Sequence, residues 1–316
     1  MTKGLVTIFG GSGFIGRHLV GRLAREGWSI RVAVRRPSAA KFLQPLGDVG
    51  QITAVRTPLG DALAVEAAVE GARAVVNLVG ILYEKGTQTF AAVHARGAHT
   101  VAAAAAKADV RHLVHVSAIG ADLHAEADYA RSKGAGEAAV KTAFAAATIL
   151  RPSIVFGPED KFFNRFAAMA RLSPALPLIG GGHTRFQPVY VGDVAGAIAR
   201  ALSDPGCRGK TYEMGGAQVY TFKELMEILL RQIHRKRLLV PMPFAVAEMW
   251  GSVLELLPVP PLTRDQVRLL RHDTVVSPGS PSLADLGIEP TALEVVLPSY
   301  LDRYRPGGRF GETMAL

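Results

Sequence analysis

Two hydrophobic periods alternate over the first half of the chain. Short apolar runs at 5–9, 29–34, 51–55, 74–79, 112–117 and 148–156 read as buried strands. Between them, 14–26, 62–70, 90–107 and 129–144 repeat at helical spacing. Strand and helix in strict alternation imply right-handed crossovers. The expected fold is therefore α/β, a Rossmann-type doubly wound parallel sheet with helices on both faces. The alanine run 102–106 is read as a helix packed close on that sheet. After Gly157 glycine and proline become frequent and the alternation lapses. A helix at 189–202, a strand at 210–214 and a helix at 221–233, opened by Thr221 as N-cap, are expected there. The division that follows is a dinucleotide-binding domain over 1–156, completed by about 184–216. Residues 157–183 and 217–316 would form a smaller, mainly helical substrate or docking domain over the carboxyl ends of the strands, where such sheets bind ligands.

The first strand runs straight into Ile8-Phe9-Gly10-Gly11-Ser12-Gly13-Phe14-Ile15-Gly16. Strand, tight glycine turn and helix start make a phosphate cradle. Residues without Cβ let backbone N–H groups approach a pyrophosphate, and the helix N-terminus adds partial positive charge. Gly10, Ser12, Gly13, Phe14, Ile15 and Gly16 are the expected cofactor contacts, with Gly16 bringing the helix close to the strand. Arg35 and Arg36 follow the second strand, where a carboxylate would take the ribose 2′-OH of NAD and arginines suit a 2′-phosphate. With Arg17 behind Gly16, they favour NADP(H), most of all NADPH, over NAD(H). Asp61 either accepts from the adenine amino group or caps the helix it precedes. Asn77 and Gly80 end the fourth strand, Gly80 letting the chain pass close to a cofactor.

The second chemical signal is Tyr129-Ala130-Arg131-Ser132-Lys133. Side chains four apart share a helix face, so phenol and ammonium can point into one site. The expectation is that the ammonium lowers the tyrosine pKa into a usable range, while Lys133 holds the nicotinamide ribose. Ser117 closes the fifth strand and can donate to a carbonyl oxygen. Tyr129, Lys133 and Ser117 are the candidate catalytic residues. The sequence offers no metal-ligand spacing.

Composition narrows the partners. The 316 residues are 49% hydrophobic and 20% charged, which is globular. Cys207 is alone, so no internal disulfide is possible. No apolar run is long enough to span a bilayer, and the strand at the N-terminus argues against a cleaved signal peptide. The net charge of +9 suits an anionic partner such as lipid, an acidic protein or a phosphorylated ligand, and equally a basic soluble enzyme with none. Without zinc spacing or aromatic-interleaved basic strands, nucleic acid is not expected.

In their combined order, the segments 10–16, Asp61, 77–80, 115–117, 129–133, 151–158 (with Pro152 as a cofactor contact) and 189–195 resemble the short-chain dehydrogenase/reductase superfamily, in its extended and atypical branches. Segments 130–137, 151–166 and 300–310 are most similar to the nucleotide-binding accessory subunit group of respiratory complex I and its bacterial relatives. That resemblance implies tightly held NADPH in a structural role, and partner subunits of complex I near the quinone site. It also implies peripheral attachment, on the cytoplasmic face of the inner membrane in a bacterium or on the matrix side in a mitochondrion. The alternative is an independent NADPH-dependent reductase, epimerase or dehydratase, with a link to ubiquinone metabolism. The sequence departs from active relatives at His94, where they place an asparagine that supports a proton relay, and at Ala118 and Ile119, where many carry a further hydroxyl.

Between Arg235-Lys236-Arg237 and Leu262 the only charges are Glu248 and Glu255, and 244–257 reads as a helix apolar nearly all round. It must bury itself within its own domain, on a partner or on an anionic lipid surface. Arg303, Arg305 and Arg309 extend the basic character into an expected flexible C-terminal tail.

Overall fold

The computed structural model describes residues 3–308, which fall into two compact units. The first is assembled from three pieces: the described residues up to Pro152, then Gly192–Met214, then Gly279–Ile288. The second comprises Ser153–Val191, Gly215–Pro278 and the described residues from Glu289.

The first unit is built on seven strands, β1 (Leu5–Phe9), β2 (Ser29–Val34), β3 (Ile52–Arg56), β4 (Ala74–Asn77), β5 (His112–Val116), β6 (Thr148–Pro152) and β7 (Thr211–Met214). All pairs are parallel, in the order β7-β6-β5-β4-β1-β2-β3. The chain therefore reverses its direction of travel between β1 and β4, the position at which a crevice opens beyond the carboxyl ends of such strands. Helices α1 (Phe14–Arg25), α2 (Ala62–Val69), α3 (Gly97–Lys107) and α4 (Asp128–Ala143) link the strands. Every residue of β4 and β5 is buried, as a sheet covered on both faces requires. Ala98, Val101, Ala102 and Ala105 of α3 close over Val75, Leu113 and Ile149, so the alanine run is core. Thr7, polar inside β1, is satisfied by donating to the Ala68 carbonyl at 2.7 Å.

Two expected elements come out differently. The run 148–156 is two strands, because Pro152 has no N–H to continue the ladder. Val155–Phe156 instead pairs with Val189–Tyr190 in the second unit. The helix expected over 90–107 opens with a π-helical turn, Ala91–Arg96, before α3 begins. Gly136 of α4 lies against that turn so closely that a Cβ there would sit 2.3 Å from the His94 carbonyl oxygen.

In the second unit, Phe156, Phe163, Phe222, Leu225, Leu297 and Leu301 form the core, with Phe163–Leu172 and Phe222–Gln232 as its principal helices. Thr221 caps the latter in a full capping box with Glu224. The Tyr300 hydroxyl donates to the buried Asp160 carboxylate at 2.6 Å. The segment after Arg237 forms a strand, Leu238–Met242, paired with Ala175–Ile179, then the helix Phe244–Leu254. That helix buries Ala247 and Gly251 but leaves Met249, Trp250 and Val253 half-exposed or more, so it is not a fully internal hairpin. Two of the basic residues before it serve the fold: Arg235 Nε donates to the Tyr304 carbonyl and Arg237 Nε to that of Ala170. The C-terminal arginines likewise depart from a flexible tail. Arg303 lies over the Tyr304 ring and Arg305 Nε donates to the Gln232 carbonyl at 3.0 Å. Arg309 lies outside the described residues. Among those described, no helix is long and apolar enough to cross a membrane.

Candidate nucleotide-binding site

The carboxyl ends of the strands around the β1/β4 reversal collect most of the residues singled out above. Gly10 leaves β1 at φ +78°, a left-handed conformation suited to glycine, and Gly13 N–H closes the turn on the Gly10 carbonyl at 2.9 Å. Ser12 lies inside that turn, and Phe14, Ile15, Gly16 and Arg17 form the first turn of α1. A Cβ on Gly16 would meet the carbonyl oxygens of Gly10 and Gly11 at 2.5 Å. The N-terminus of α1 has no side-chain cap and no acidic residue in its first turn. Uncapped N–H groups above a glycine turn fit a pyrophosphate in both shape and charge.

Around this cradle, Arg35 and Arg36 are exposed beyond β2, and Arg35 Nη1 donates to Gln88 Oε1 at 2.7 Å. Arg17 lies over the Phe42 ring, its guanidinium carbon 4.9 Å from the centroid. Asp61 caps α2, its Oδ1 accepting from Ala64 N–H at 3.0 Å, which meets the capping alternative. Asn77 is buried at the end of β4: its Oδ1 accepts from Val79 N–H and its Nδ2 donates to His115 Nδ1 at 3.2 Å. Gly80 runs beside the catalytic candidates, a Cβ there falling 3.6 Å from both His94 Nε2 and Lys133 Nζ. Pro152 ends β6, its carbonyl accepting from Ile119 N–H. Ser117 is buried after β5, and its Oγ has no hydrogen-bond partner.

Tyr129, Lys133 and Glu137 share one face of α4, as their spacing requires. Glu137 holds Arg151 bidentately at 2.7 and 2.8 Å. Buried Lys133 donates to the Val116 carbonyl at 3.0 Å. Burial brings the Lys133 ammonium down to about 8, partly countered by Glu137. The Tyr129 ring stands edge-on to Phe90 and His94, at 6.0 and 5.5 Å between centroids. Burial pushes its phenol up to about 12. This is opposite in sign to the expected lowering, because desolvation of the phenolate outweighs any attraction to an ammonium bonded to the backbone.

His94 is fixed through both ring nitrogens. Ile81 N–H donates to Nε2 at 3.0 Å, so Nε2 carries no proton. Ser132 Oγ spends its own proton on the Tyr129 carbonyl, so Nδ1–H donates to Ser132 at 2.8 Å. That is a neutral imidazole, in keeping with a pKa brought down to about 3 by burial and the Lys133 charge. His115 is also neutral, near 3, through burial, Lys133 and His94. Its Nδ1 accepts from Asn77, so Nε2 bears the proton and has no partner. Phe90, Gln88, His115, Ser132 and Glu137 carry no assigned role in the sequence reading; Ser132 lies within the Tyr129–Lys133 motif and Glu137 one helical turn beyond it.

A model of the NAD dependent epimerase/dehydratase family matches residues 6–215. The chain belongs to this family. A nicotinamide dinucleotide is the family's type of cofactor. Among family relatives, "NADH dehydrogenase (ubiquinone) 1 alpha subcomplex subunit 9, mitochondrial" of Arabidopsis thaliana is 36% identical over 324 residues, covering 98% of this chain and 81% of its own. A ceramide reductase of Caulobacter vibrioides is 30% identical over 258 residues, covering 79% and 80%. The fold matches that of the dTDP-glucose 4,6-dehydratase DesIV from Streptomyces venezuelae, solved with NAD bound, at a TM-score of 0.73, 20% identity and 98% of each chain.

Proposed function

We propose that this family member holds NADP(H), NADPH above all, as a structural element and serves as an accessory subunit of respiratory complex I. The observation that carries the reading is the likeness to the Arabidopsis complex I subunit along nearly the whole chain. Partner subunits beside the quinone site and a peripheral position, on the matrix side or its bacterial cytoplasmic equivalent, belong to the same proposal. Anionic lipid is a second contact on this reading.

The glycine turn and the α1 N-terminus would hold the pyrophosphate, Arg17, Arg35 and Arg36 the 2′-phosphate, and Asn77, Gly80, Pro152, Tyr129 and Lys133 the nicotinamide half. Asp61, already engaged as a cap, would lie toward the adenine. When bound, the nicotinamide ring supplies hydride transfer at C4. The side chains around it are poorly set for the accompanying proton. Tyr129 keeps its proton far above neutral pH, and Lys133 is tied to Val116. His94 is neutral and spends both nitrogens on positioning. A grip on the ribose needs none of these groups to change protonation, which supports a nucleotide that stays rather than turns over.

Gentle extraction from membranes, with mass spectrometry of companions and bound nucleotide, tests this reading. NADPH retained alongside complex I subunits is expected; recovery solely as a free monomer would refute the subunit role. Replacing Arg35 and Arg36 by Ser should weaken NADPH much more than NADH, and equal losses would refute the phosphate contact. The Caulobacter reductase and the unpartnered Ser117 Oγ favour a second reading, an NADPH-dependent reductase in which Ser117 polarises a carbonyl and Tyr129 donates the proton. In that case Tyr129→Phe would keep nucleotide and abolish an activity measurable in the parent chain.

A further inference from the structure

The segment between β4 and the π-helical turn does something the glycine turn alone cannot. β1 lies between β4 and β2 in the sheet, and all three strands are parallel. The chain leaves β4 at Asn77, and Gln88 reaches the guanidinium of Arg35, the residue immediately after β2. The segment thus travels about 10 Å across two strand spacings, passing the carboxyl end of β1 where the glycine turn begins. Its tip is a tight hairpin. Lys85 N–H donates to the Gln88 carbonyl and Gln88 N–H to that of Lys85, both at 3.0 Å, around Gly86 at φ +56°. Its base is fixed too, because Glu84 Oε1 accepts from Phe90 N–H and His94 Nε2 accepts from Ile81 N–H. Gln88 is therefore presented by a braced hairpin rather than by a loose loop.

Arg35 uses Nη1 for Gln88 and makes no other hydrogen bond or ion pair among the described residues. A guanidinium pinned at one corner keeps its Nε–Nη2 edge as a planar two-donor fork, the geometry that binds phosphate oxygens bidentately. We infer that Gln88 is the positioning residue for cofactor choice: it orients Arg35 toward a 2′-phosphate and, through the same bond, straps the 81–90 segment over the bound dinucleotide. This rests on the NADP(H) reading above. A long, exposed arginine otherwise loses rotamer freedom each time it binds phosphate, and pre-orientation removes that cost.

The test is the dissociation constant and release rate of NADPH and NADH, read by nucleotide fluorescence on the full-length parent, Gln88→Ala and Gln88→Glu. Gln88→Ala should weaken NADPH about five- to tenfold and speed its release by a similar factor, with NADH, which loses only the strap, weakened by a clearly smaller factor. Gln88→Glu should cost more, because a carboxylate both engages Arg35 and repels the phosphate, so the preference for NADPH over NADH collapses. If both variants keep the parent's NADPH constants, Gln88 positions nothing and the inference falls while the NADP(H) reading stands. If the parent itself shows no preference for NADPH, the underlying reading falls and this inference with it. Circular dichroism of each variant separates these outcomes from misfolding. Equal weakening of NADPH and NADH by Gln88→Ala also overturns the assignment, since it would make the segment a general strap without a role in choice.

Discussion

Replacing Gly136 with Ala puts the packing around the site to a direct test. The added methyl would sit 2.3 Å from the His94 carbonyl oxygen and 3.2 Å from its carbonyl carbon. Carbon–oxygen contacts settle near 3.3 Å or beyond, so α4 and the π-helical turn must separate by about 1 Å. Neither side yields easily: the obstacle is backbone, and His94 is held at both ring nitrogens. Overpacking of this kind costs about 1–3 kcal/mol, against a gain of roughly 0.5–1 kcal/mol from the better helix propensity of alanine. A 2.3 Å clash with backbone takes the upper part of that cost, about 2–3 kcal/mol, so the net expectation is about 1–2.5 kcal/mol of destabilisation, read as a lower denaturant midpoint at unchanged m-value. Nucleotide release should also quicken, because Tyr129 and Lys133 ride on the displaced helix. Gly60→Ala is the matched control: a Cβ there meets nothing within 4 Å and its φ is not left-handed, so it should be neutral or slightly stabilising. A Gly136→Ala protein as stable as the parent would refute the close contact between α4 and the π-helical turn.

Three further outcomes follow from buried groups. His94 and His115 are held near 3 in the folded chain against about 6.5 when unfolded, so the unfolded state takes up protons first as pH falls. Stability should be full above about pH 6.5 and fall by several kcal/mol toward pH 3, and His115→Asn should flatten that limb in urea titrations. Lys133 has the same sign at the alkaline end. With its pKa lowered to about 8 from 10.5, the cost of burying its charge is present below pH 8 and relieved as pH rises toward 10.5. The parent should gain up to ~3 kcal/mol over that window, and Lys133→Met should lose the slope. Tyr300→Phe leaves Asp160 without its 2.6 Å donor and should destabilise the second unit by about 1–3 kcal/mol, seen as an earlier loss of tryptophan signal from Trp250 than in the parent.

Much of the fold was legible because its signals are local. Strand runs, helical period and the glycine turn each depend on neighbours within about ten residues. Gly16 was read from spacing alone, and its Cβ has no room in the structure. What stayed hidden is set across the sheet. Whether Tyr129 would be more or less acidic depended on where the Lys133 ammonium went, and the Val116 carbonyl that takes it is 17 residues away. The break at Pro152 was masked because apolar residues continue on both sides of it. The π-helical turn has no periodic signature of its own, and the close approach of α4 to it depends on the missing Cβ of Gly136 some forty residues later. That Arg235 and Arg237 serve the fold is also hidden, since nothing in the sequence reveals that backbone carbonyls at Tyr304 and Ala170 take their Nε protons. Gln88 sat in a stretch without pattern, and only its 53-residue reach to Arg35 gives it a role.

The assembly of the first unit from three separated pieces has a consequence for synthesis. β6 ends at Pro152, but β7, which completes its ladder, ends at Met214, 62 residues later. At about 5–20 residues per second, the ribosome takes roughly 3–12 s to deliver it. During that interval β6 is a bare apolar edge, open to any strand that meets it. The last piece, Gly279–Ile288, whose Pro281 carbonyl accepts from Glu213 N–H of β7, arrives later still. A nascent chain of this design needs shelter at one defined flank of the sheet, so a ribosome-bound holdase should crosslink to stalled chains ending between residues 190 and 240 and leave those that have emerged past Ile288.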